Sequence, residues 1–580
     1  MAKTGNRQTE QLIEKLAGLK TDFDDQLLKS KPDILDNLRQ SDIHDADLLE
    51  SYHDSLCFIR AYPDDPQIMK LAEMELQDFN RRVESYKTIS RDRQAKRLAD
   101  TGIVNTSVSH EFSCELTRSI SEWYPDLVEI EWKQYEKSET DKISAILPLI
   151  VAWQENDTLD NDMEISTADW LKQARSKSDK SNLSILLKML KSSGYPPSLQ
   201  RFLFENAEIP VKWTLTDCPA SRTLKRITCR RPFYQTMPII GRTKDLRQSL
   251  QAKSGPLITL NLSEGKQYVR HIKEVLGVRC RELYPLIHAE PGEVYLYEPG
   301  RGVQIAVLGN IMDIRLPLES NFGAMLVRNG MPVGYGIGCM LFDRVEIAIN
   351  IFPAYRTGES SFIIEQFFRL FHHHFGAKVL LVRSYQVGDD NEEALESGSF
   401  WFYYKLGFRP VDKKIRAMAK KEYAKIIADR SYRCPIGVLK RLSRSDIFFH
   451  IDPAKMDGFS ELPLKDLGYL VTKYIAASYD GDRKLAAEKS IEKITSMLSI
   501  KGWRSWRDDE ITAFKRLAPL VACIPDLKSW SAKEKADLAR IIRAKGAVKE
   551  REFVLRCNKH PRFKKAIEKL AFEYNETNAN

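Results

Sequence analysis

The sequence predicts an α+β protein in which a central mixed sheet is flanked by mainly helical segments. Strand-like runs of alternating or branched apolar residues concentrate in the middle of the chain, at about 256–410. Apolar residues at helical spacing dominate both ends. A chain of 580 residues is too long for one hydrophobic core, so two to four domains are expected.

The first 235 residues are predicted to form a helical domain, with two subdomains as an alternative. Four apolar residues between Leu12 and Leu19 form one stripe, and the sequence Pro63-Asp-Asp-Pro66 interrupts the helical pattern. A polar stretch at 154–166 is expected to be a loop, and its aspartates lack the spacing of a calcium loop. The other helices are expected at 67–87, 110–123, 147–153, 168–175, 182–192 and 197–205.

Around Cys218–Arg242 the composition shifts to Arg, Thr, Pro and strand-forming residues, which marks the passage into the mixed region. A helix is expected at 266–283. The early strands are expected at 256–262, 293–297 and 303–308.

Asn329-Gly330 predicts a tight hairpin between strands at 323–328 and 331–338, because this pair readily adopts the two positive φ angles of a type I′ turn. The segments that follow predict a strand at 344–352, a turn at 353–361, a helix at 362–375 that ends at Gly376, a strand at 378–383 and an aromatic segment at 400–410.

This order of elements resembles the GNAT superfamily of N-acetyltransferases. The resemblance rests on the turn between strand and helix and on the Tyr-x-Lys-x-Gly-Phe sequence at 403–408, and it covers at most about a third of the chain. It implies a helical domain at 1–235, a GNAT-like acyltransferase domain at 236–415 and a helical, basic domain at 416–580. It also implies transfer of an acyl group from acetyl-CoA or another acyl-CoA to an amine-bearing acceptor, a small molecule or a protein, without a metal.

In the family, the turn carries Arg/Gln-x-x-Gly-x-Gly/Ala, and its peptide N–H groups face the CoA diphosphate at a helix N-terminus. Either Arg356 or Tyr355 takes the first position here. The first alignment puts Glu359 and Ser361 at the two glycine positions; the second keeps Gly358 but loses the initial Arg/Gln and has Ser360 in place of the final glycine. Glu359 is expected to oppose an anion, and Arg356 to offset part of that charge. The implied CoA-binding residues of the turn are Arg356, Thr357, Gly358, Glu359, Ser360 and Ser361.

The resemblance also implies roles for residues outside the turn. Tyr403 is the expected general acid that protonates the departing CoA thiolate; the alternative is that it belongs only to the aromatic core. Asn391 is expected to face the pantetheine arm. The backbone of Ile349 and Ile351 is expected to hydrogen-bond that arm, and Glu346, on the same strand, is the proposed general base.

Two further functions stay open from the sequence alone. One is a GNAT-like transferase that accepts aminoacyl-tRNA, and the other is a non-catalytic GNAT-like scaffold. Fourteen lysines and arginines against five acidic residues in 528–569 give this segment the whole net charge of +9. A basic segment of this kind is the sort that binds nucleic acid, but its interleaved acidic residues favour a solvated helix face. After Pro410, helices are expected at 414–428, 464–478, 484–498, 508–521 and 532–544.

Several classes are disfavoured by composition. The N-terminus lacks the apolar stretch of a secretory signal, and the longest apolar run, near Ile146–Trp153, is about half a membrane span. The nine cysteines are scattered, which is typical of reduced thiols in the cytoplasm. Three consecutive histidines, His372–His374, point in different directions on a helix, so no shared metal is expected.

Overall fold

The computed structural model describes residues 2–23, 30–89, 96–136, 141–159, 165–429 and 431–579. It is an α+β structure with one large mixed sheet and helices before and after it in the chain, as the sequence predicts at that level. Most of the buried apolar side chains form one continuous core that extends from Ile13 to Ala571, and Val379, Leu381 and Phe448 form a second, small cluster. The division into three domains stays a prediction.

The N-terminal part is built mainly of helices. Its helices are α1 (Ala2–Leu19), α2 (Ser30–Arg39), α3 (Ala46–Ala61), α4 (Pro66–Gln77), α5 (Phe79–Ile89), α6 (Cys114–Trp123), α7 (Trp132–Tyr135), α8 (Lys142–Ile146), α9 (Thr167–Ala174), α10 (Asn182–Ser192) and α11 (Pro197–Asn206). A small antiparallel sheet, in the order β1-β3-β2, lies among them. Its strands are β1 (Ser107–His110), β2 (Val128–Ile130) and β3 (Val211–Thr214).

The large sheet has nine strands in the order β11-β12-β10-β9-β8-β7-β6-β5-β4. All neighbouring strands are antiparallel except β9 and β10, which are parallel. The strands are β4 (Leu257–Thr259), β5 (Ala289–Gly300), β6 (Val303–Asn310), β7 (Ser320–Arg328), β8 (Met331–Leu341), β9 (Arg344–Ile351), β10 (Val379–Val382), β11 (Arg409–Pro410) and β12 (Ile447–His450).

Further helices connect these strands and complete the chain. In the central part they are α12 (Leu246–Gln251), α13 (Leu262–Gly277), α14 (Tyr284–Ile287), α15 (Ser360–Phe375), α16 (Ser384–Val387), α17 (Glu392–Glu396) and α18 (Ser399–Lys405). Beyond it lie α19 (Lys413–Ala428), α20 (Ile436–Leu442), α21 (Leu464–Tyr479), α22 (Arg483–Leu498), α23 (Asp508–Ala522), α24 (Ala532–Lys545), α25 (Arg551–Asn558) and α26 (Pro561–Ala579).

The predicted hairpin is confirmed. Asn329 and Gly330 have φ angles of 46° and 81° and join β7 to β8. The side chain of Asn329 also donates hydrogen bonds to the carbonyl oxygens of Ala61, at 2.8 Å, and Phe233, at 2.9 Å. The turn residue therefore fixes the hairpin and fastens the end of α3 to it.

Helix α15 covers one face of the sheet where β8 carries glycines. A side-chain carbon at Gly336 would lie 3.3 Å from Phe367, and one at Gly338 would overlap the Phe371 ring. These glycines let the helix approach the sheet closely, and Gly376 ends the helix in the left-handed conformation expected for a C-cap, with φ 77°.

The C-terminal helices are fastened to the sheet by buried polar contacts. Arg315, after β6, donates to the backbone carbonyl oxygens of Lys545, at 2.9 Å, and Val548, at 2.9 Å. Glu293, on β5, accepts the amides of Glu550 and Arg551, both at 2.8 Å. A carboxylate and a guanidinium that satisfy peptide groups in this way hold the segment in one position.

Three expectations about the elements are corrected. The predicted helix at 147–153 is two 3₁₀ turns, Leu147–Leu149 and Trp153–Thr158, so the predicted polar loop begins with a turn; residues 160–164 lie outside the described residues. The predicted strand at 256–262 ends at Thr259 because Asn261 caps the next helix, which begins at Leu262. The small sheet and β12 were not predicted, since short strands of three or four residues give little periodic signal.

The basic C-terminal segment is largely engaged with its own protein. Among the described residues, seven of its basic side chains form ion pairs with acidic residues: Arg540 with Asp537, Arg543 with Glu510, Lys545 with Glu550, Arg556 with Glu552, Arg562 with Glu534, Lys564 with Asp343 and Lys569 with Glu573. Such pairs reduce the positive charge available to a phosphate backbone. Among the described residues, no helix combines the length and apolar character needed to cross a membrane.

Replacing Gly338 with alanine is expected to destabilise the fold by about 1–3 kcal/mol, because the added methyl group overlaps the Phe371 ring between helix and sheet. The matched control is Gly437→Ala in α20, where an added methyl group meets nothing within 4 Å; it is expected to stay within about 1 kcal/mol of the natural protein. Thermal unfolding followed by circular dichroism measures both, and equal midpoints would contradict the close approach of α15.

Candidate functional site

The two parallel strands of the large sheet separate at one end. β9 and β10 pair only over Arg344–Glu346 and Val379–Leu381. β9 continues to Ile351 and stays paired with β8, whereas the chain leaves β10 after Val382 and enters α16. In the described sheet, the edge of residues 347–351 that faces away from β8 therefore has no partner strand.

A cleft of about 520 Å³ lies at this opening, bounded by β9, the first turn of α15 and the helices α16 to α18. Glu346, Thr357, Gly358 and Glu359 are not among the residues that line it. Seven of the predicted site residues do line it: Ile349, Ile351, Arg356, Ser360, Ser361, Asn391 and Tyr403.

The turn between β9 and α15 uses several of its peptide N–H groups internally. The amide of Arg356 donates to the Pro353 carbonyl at 3.3 Å, and the amide of Gly358 donates to the Tyr355 carbonyl at 2.9 Å. The amide of Glu359 donates to the Tyr62 hydroxyl at 3.2 Å. These three amides are thus occupied, in contrast to the expectation that the whole turn presents its amides to one ligand.

The first turn of α15 is the part of this segment that stays open. The amides of Ser360 and Ser361 have no carbonyl one turn earlier within the helix, and the side chain of Glu359 at the N-cap makes no capping hydrogen bond. Both serines line the cleft. The positive end of the helix dipole therefore faces the cleft at these two residues.

Glu359 points away from the cleft. Its side chain is fully buried and forms ion pairs with Arg301 and, at 3.3 Å, with the equally buried Arg328. It also accepts the amide of Ile240 at 3.2 Å. The expectation that Glu359 repels an anion at the turn is corrected, because two arginines neutralise the carboxylate inside the protein.

Gly358 packs against the helical N-terminal part of the chain. A side-chain carbon at this position would lie 2.6 Å from the Tyr62 ring. The Tyr62 ring in turn lies under the guanidinium of Arg328, 4.8 Å from the ring centre. The glycine is therefore explained by close packing with Tyr62, on the side of the turn opposite the cleft.

Tyr403, on α18, reaches the cleft from the aromatic core. Its ring lies edge-on to Phe402 and Phe408, and its side chain is buried. Burial raises the pKa of its hydroxyl, which has no hydrogen-bond partner among the described residues. A phenol in this environment stays protonated at neutral pH and has a free proton to donate.

Two other predicted residues are engaged with the protein. Glu346 forms an ion pair with Arg383 at 2.6 Å, just beyond the separation of the strands. Asn391 caps α17 by accepting the amide of Ala394 at 3.1 Å, and its own amide donates to the Tyr385 carbonyl at 3.1 Å. Asn391 borders the cleft with both ends of its side chain already bonded.

The cleft also includes residues that the sequence did not identify. Asn350 donates to the Tyr335 hydroxyl at 3.3 Å, and the two residues are directly opposite on β9 and β8. The alternation along β9 indicates that Asn350 shares a face with Glu346, but not which partner it has. Arg281, from the loop after α13, could not be assigned because no local pattern relates it to the sheet.

No group of three or more potential ligand side chains is arranged to hold a metal ion in the described parts of the chain. No protein-family model matches this chain, and no curated protein or solved structure matches it significantly.

Replacing Glu359 with glutamine is expected to lower the free energy of unfolding by about 3 kcal/mol or more, because it leaves the buried Arg328 without a charged partner. The matched control is Glu393→Gln, which removes the exposed ion pair of Arg356 at the other end of the same turn. Its effect is expected to stay within about 1 kcal/mol. Urea unfolding measures both, and similar losses would contradict the structural role of Glu359.

Proposed function

We propose that the protein transfers an acyl group from acyl-CoA to an amine in this cleft. One observation carries the proposal. The free edge of β9, the open first turn of α15 and the buried hydroxyl of Tyr403 border the same cavity. Its volume of about 520 Å³ is in the range of small-molecule sites.

The donor would enter as an extended chain. The pantetheine arm carries two amide groups, which can pair with peptide groups on the free edge of β9 as an added strand would. The carbonyl of Ile351 already accepts a hydrogen bond from Nε of Arg356 at 3.1 Å, so the groups of residues 347–350 are the ones that can pair. The diphosphate would then lie near the amides of Ser360 and Ser361 and the hydroxyl of Ser361, where the helix dipole favours an anion. The hydroxyl of Ser360 donates to the Arg356 carbonyl at 3.1 Å. Arg281, which also lines the cleft, adds positive charge on the same path, whereas the charge of Arg356 is offset by its ion pair with Glu393.

The reaction would proceed by direct attack of the neutral amine on the thioester carbonyl. The C–N bond forms, the C–S bond breaks, and Tyr403 gives its proton to the departing thiolate. The nitrogen releases one proton as the amide forms, and the phenolate of Tyr403 takes it back. Amine and acyl-CoA thereby become amide and CoA, and Tyr403 returns to its starting state.

The family resemblance supports this proposal at the level of element order, and the departures at the turn have a structural reason. Gly358 and Glu359 hold the turn against Tyr62, Arg301 and Arg328. Ser360 and Ser361 would take over the contact with the diphosphate. Glu346, engaged with Arg383, is not required for the step as written.

Replacing Ser361 with glutamate is expected to weaken acetyl-CoA binding by about tenfold or more, because a carboxylate at the open helix end repels the diphosphate. Ser361→Ala is the matched control and is expected to bind nearly as the natural protein does. Isothermal titration calorimetry with acetyl-CoA measures both affinities.

Equal affinity in the two variants would place the diphosphate elsewhere. Absence of binding to the natural protein would overturn the acyl-CoA proposal. Salt-sensitive binding of tRNA would then support the aminoacyl-tRNA-dependent transferase, and no binding of either ligand would support a non-catalytic scaffold.

Replacing Tyr403 with phenylalanine is expected to lower turnover by about tenfold or more, since the thiolate loses its proton donor, while the affinity for acetyl-CoA stays nearly constant. Tyr404→Phe is the matched control, because Tyr404 is the neighbouring tyrosine and does not line the cleft. Release of free CoA thiol with a panel of primary amines measures turnover. Equal rates in the two variants would remove Tyr403 from the chemistry.

A further inference from the structure

A second cavity, of about 350 Å³, lies on the other side of one short segment from the cleft. Arg281 and Leu283 line the cleft, whereas Glu282 and Tyr284 line this second cavity. Its other walls come from the loop that follows β1, the end of α11 and the residues around His288. We call it the acidic pocket, because four glutamates line it: Glu111, Glu205, Glu208 and Glu282.

The acidic pocket has more negative than positive charge along its walls, with Arg201 and Lys273 outside the lining but near enough to add to the effect of burial on the pKa of His288. No lysine or arginine is among its lining residues. Of the four glutamates, Glu208 forms an ion pair with Lys142. Glu111 and Glu205 have no ion-pair partner among the described residues. The pocket is therefore an environment that favours a cation.

Two buried polar groups at the pocket have unused hydrogen-bonding capacity. His288 is 2% exposed, and neither of its ring nitrogens has a partner among the described residues. Glu282 accepts the Ser113 amide at 2.9 Å through Oε1, but its buried Oε2 has no such partner. Leaving a buried polar group unpaired costs about 1–3 kcal/mol, so a ligand that donates hydrogen bonds here gains free energy.

His288 is in the form that can accept a hydrogen bond. Burial lowers its pKa to about 4, so the imidazole is neutral near neutral pH and one ring nitrogen carries a lone pair. The Tyr284 ring lies 4.5 Å from the imidazole, centre to centre, and its side chain is exposed at the pocket rim.

The remaining walls are apolar. Phe112, Phe204, Ile209 and Ile287 line the pocket, and each of them is about 2% exposed. A ligand that fits this surface carries an alkyl portion beside its charged group. A hydrated inorganic cation does not, and the described residues hold no cluster of three or more metal-binding side chains.

We propose that the acidic pocket binds a primary alkylammonium group, with the ammonium between Glu282 and His288 and the alkyl chain against Phe204 and Ile287. This binding does not depend on acyl transfer. Resting on the proposed function, the acceptor is an amine with a second, cationic end, which the pocket holds beside the cleft.

The test uses the full chain without acyl-CoA, so its outcome is separate from that of the proposed function. Saturation-transfer NMR with n-butylammonium chloride is expected to show saturable binding, whereas the neutral isostere 1-butanol is expected to bind about tenfold more weakly or not at all. Equal binding of the two probes would overturn the proposal.

Variants locate the binding. Glu282→Gln and, at the rim, Glu205→Gln are each expected to weaken n-butylammonium binding, the former by about tenfold or more. Glu129→Gln, an exposed glutamate on β2 outside the pocket, is expected to bind as the natural protein does. The melting temperature of each variant checks its folding, and Glu205→Gln tests the pocket if Glu282→Gln fails to fold. Unchanged binding in a folded pocket variant, or saturable Zn²⁺ binding without ammonium binding, would contradict the inference.

Discussion

The buried carboxylate of Glu359 is the contact on which the arrangement of the cleft depends. It has no exposure to solvent and lies between Arg301, from the turn after β5, and Arg328, from the end of β7. Because an unpaired charge in this position is costly, these ionic contacts hold the turn before α15 in one place relative to the sheet. Tyr62 closes the same turn from the helical N-terminal part. The start of α15, and with it the open amides that face the cleft, is therefore set by residues from three distant parts of the chain.

The elements that could be predicted from the sequence are those whose signals are local. Asn329-Gly330 and Gly376 predicted a turn and a helix end, because each needs a positive φ that few other residues adopt. The long strands β7 to β9 showed their alternation directly. The short strands did not, and β12 pairs with β10 across residues 383–446, which contain five separate helices and one further strand. Pairing over such a distance is decided by tertiary packing, which no single segment encodes.

The residues of the site also divide into those that local sequence patterns predict and those whose position depends on distant residues. The cleft-lining positions of β9 and of α15 follow from the order of strand, turn and helix. The direction of Glu359 does not, since the guanidinium of Arg301 that binds it is 58 positions away in the sequence. Glu346 and Asn391 show that a sequence pattern does not reveal the partner of a polar side chain. Strand parity indicated the face of Glu346 but not its ion pair with Arg383. The position of Asn391 before a helix did not show that its side chain would cap the first turn of α17. No sequence pattern predicted the acidic pocket, since its walls come from three separate segments, at 110–113, 204–209 and 282–288.

Gly358 shows how one residue type can satisfy two different physical requirements. A glycine in a phosphate-binding turn is needed where the backbone must approach an anion closely, and a glycine between packed elements is needed where a side chain would overlap a neighbour. At Gly358 the neighbour is the Tyr62 ring, which closes one side of the turn. The open side begins two residues later, at Ser360 and Ser361, whose amides belong to the helix itself. If the protein acts as proposed, the anion contacts the first turn of α15 instead of the preceding turn, and the proposal therefore does not depend on the missing final glycine of the motif.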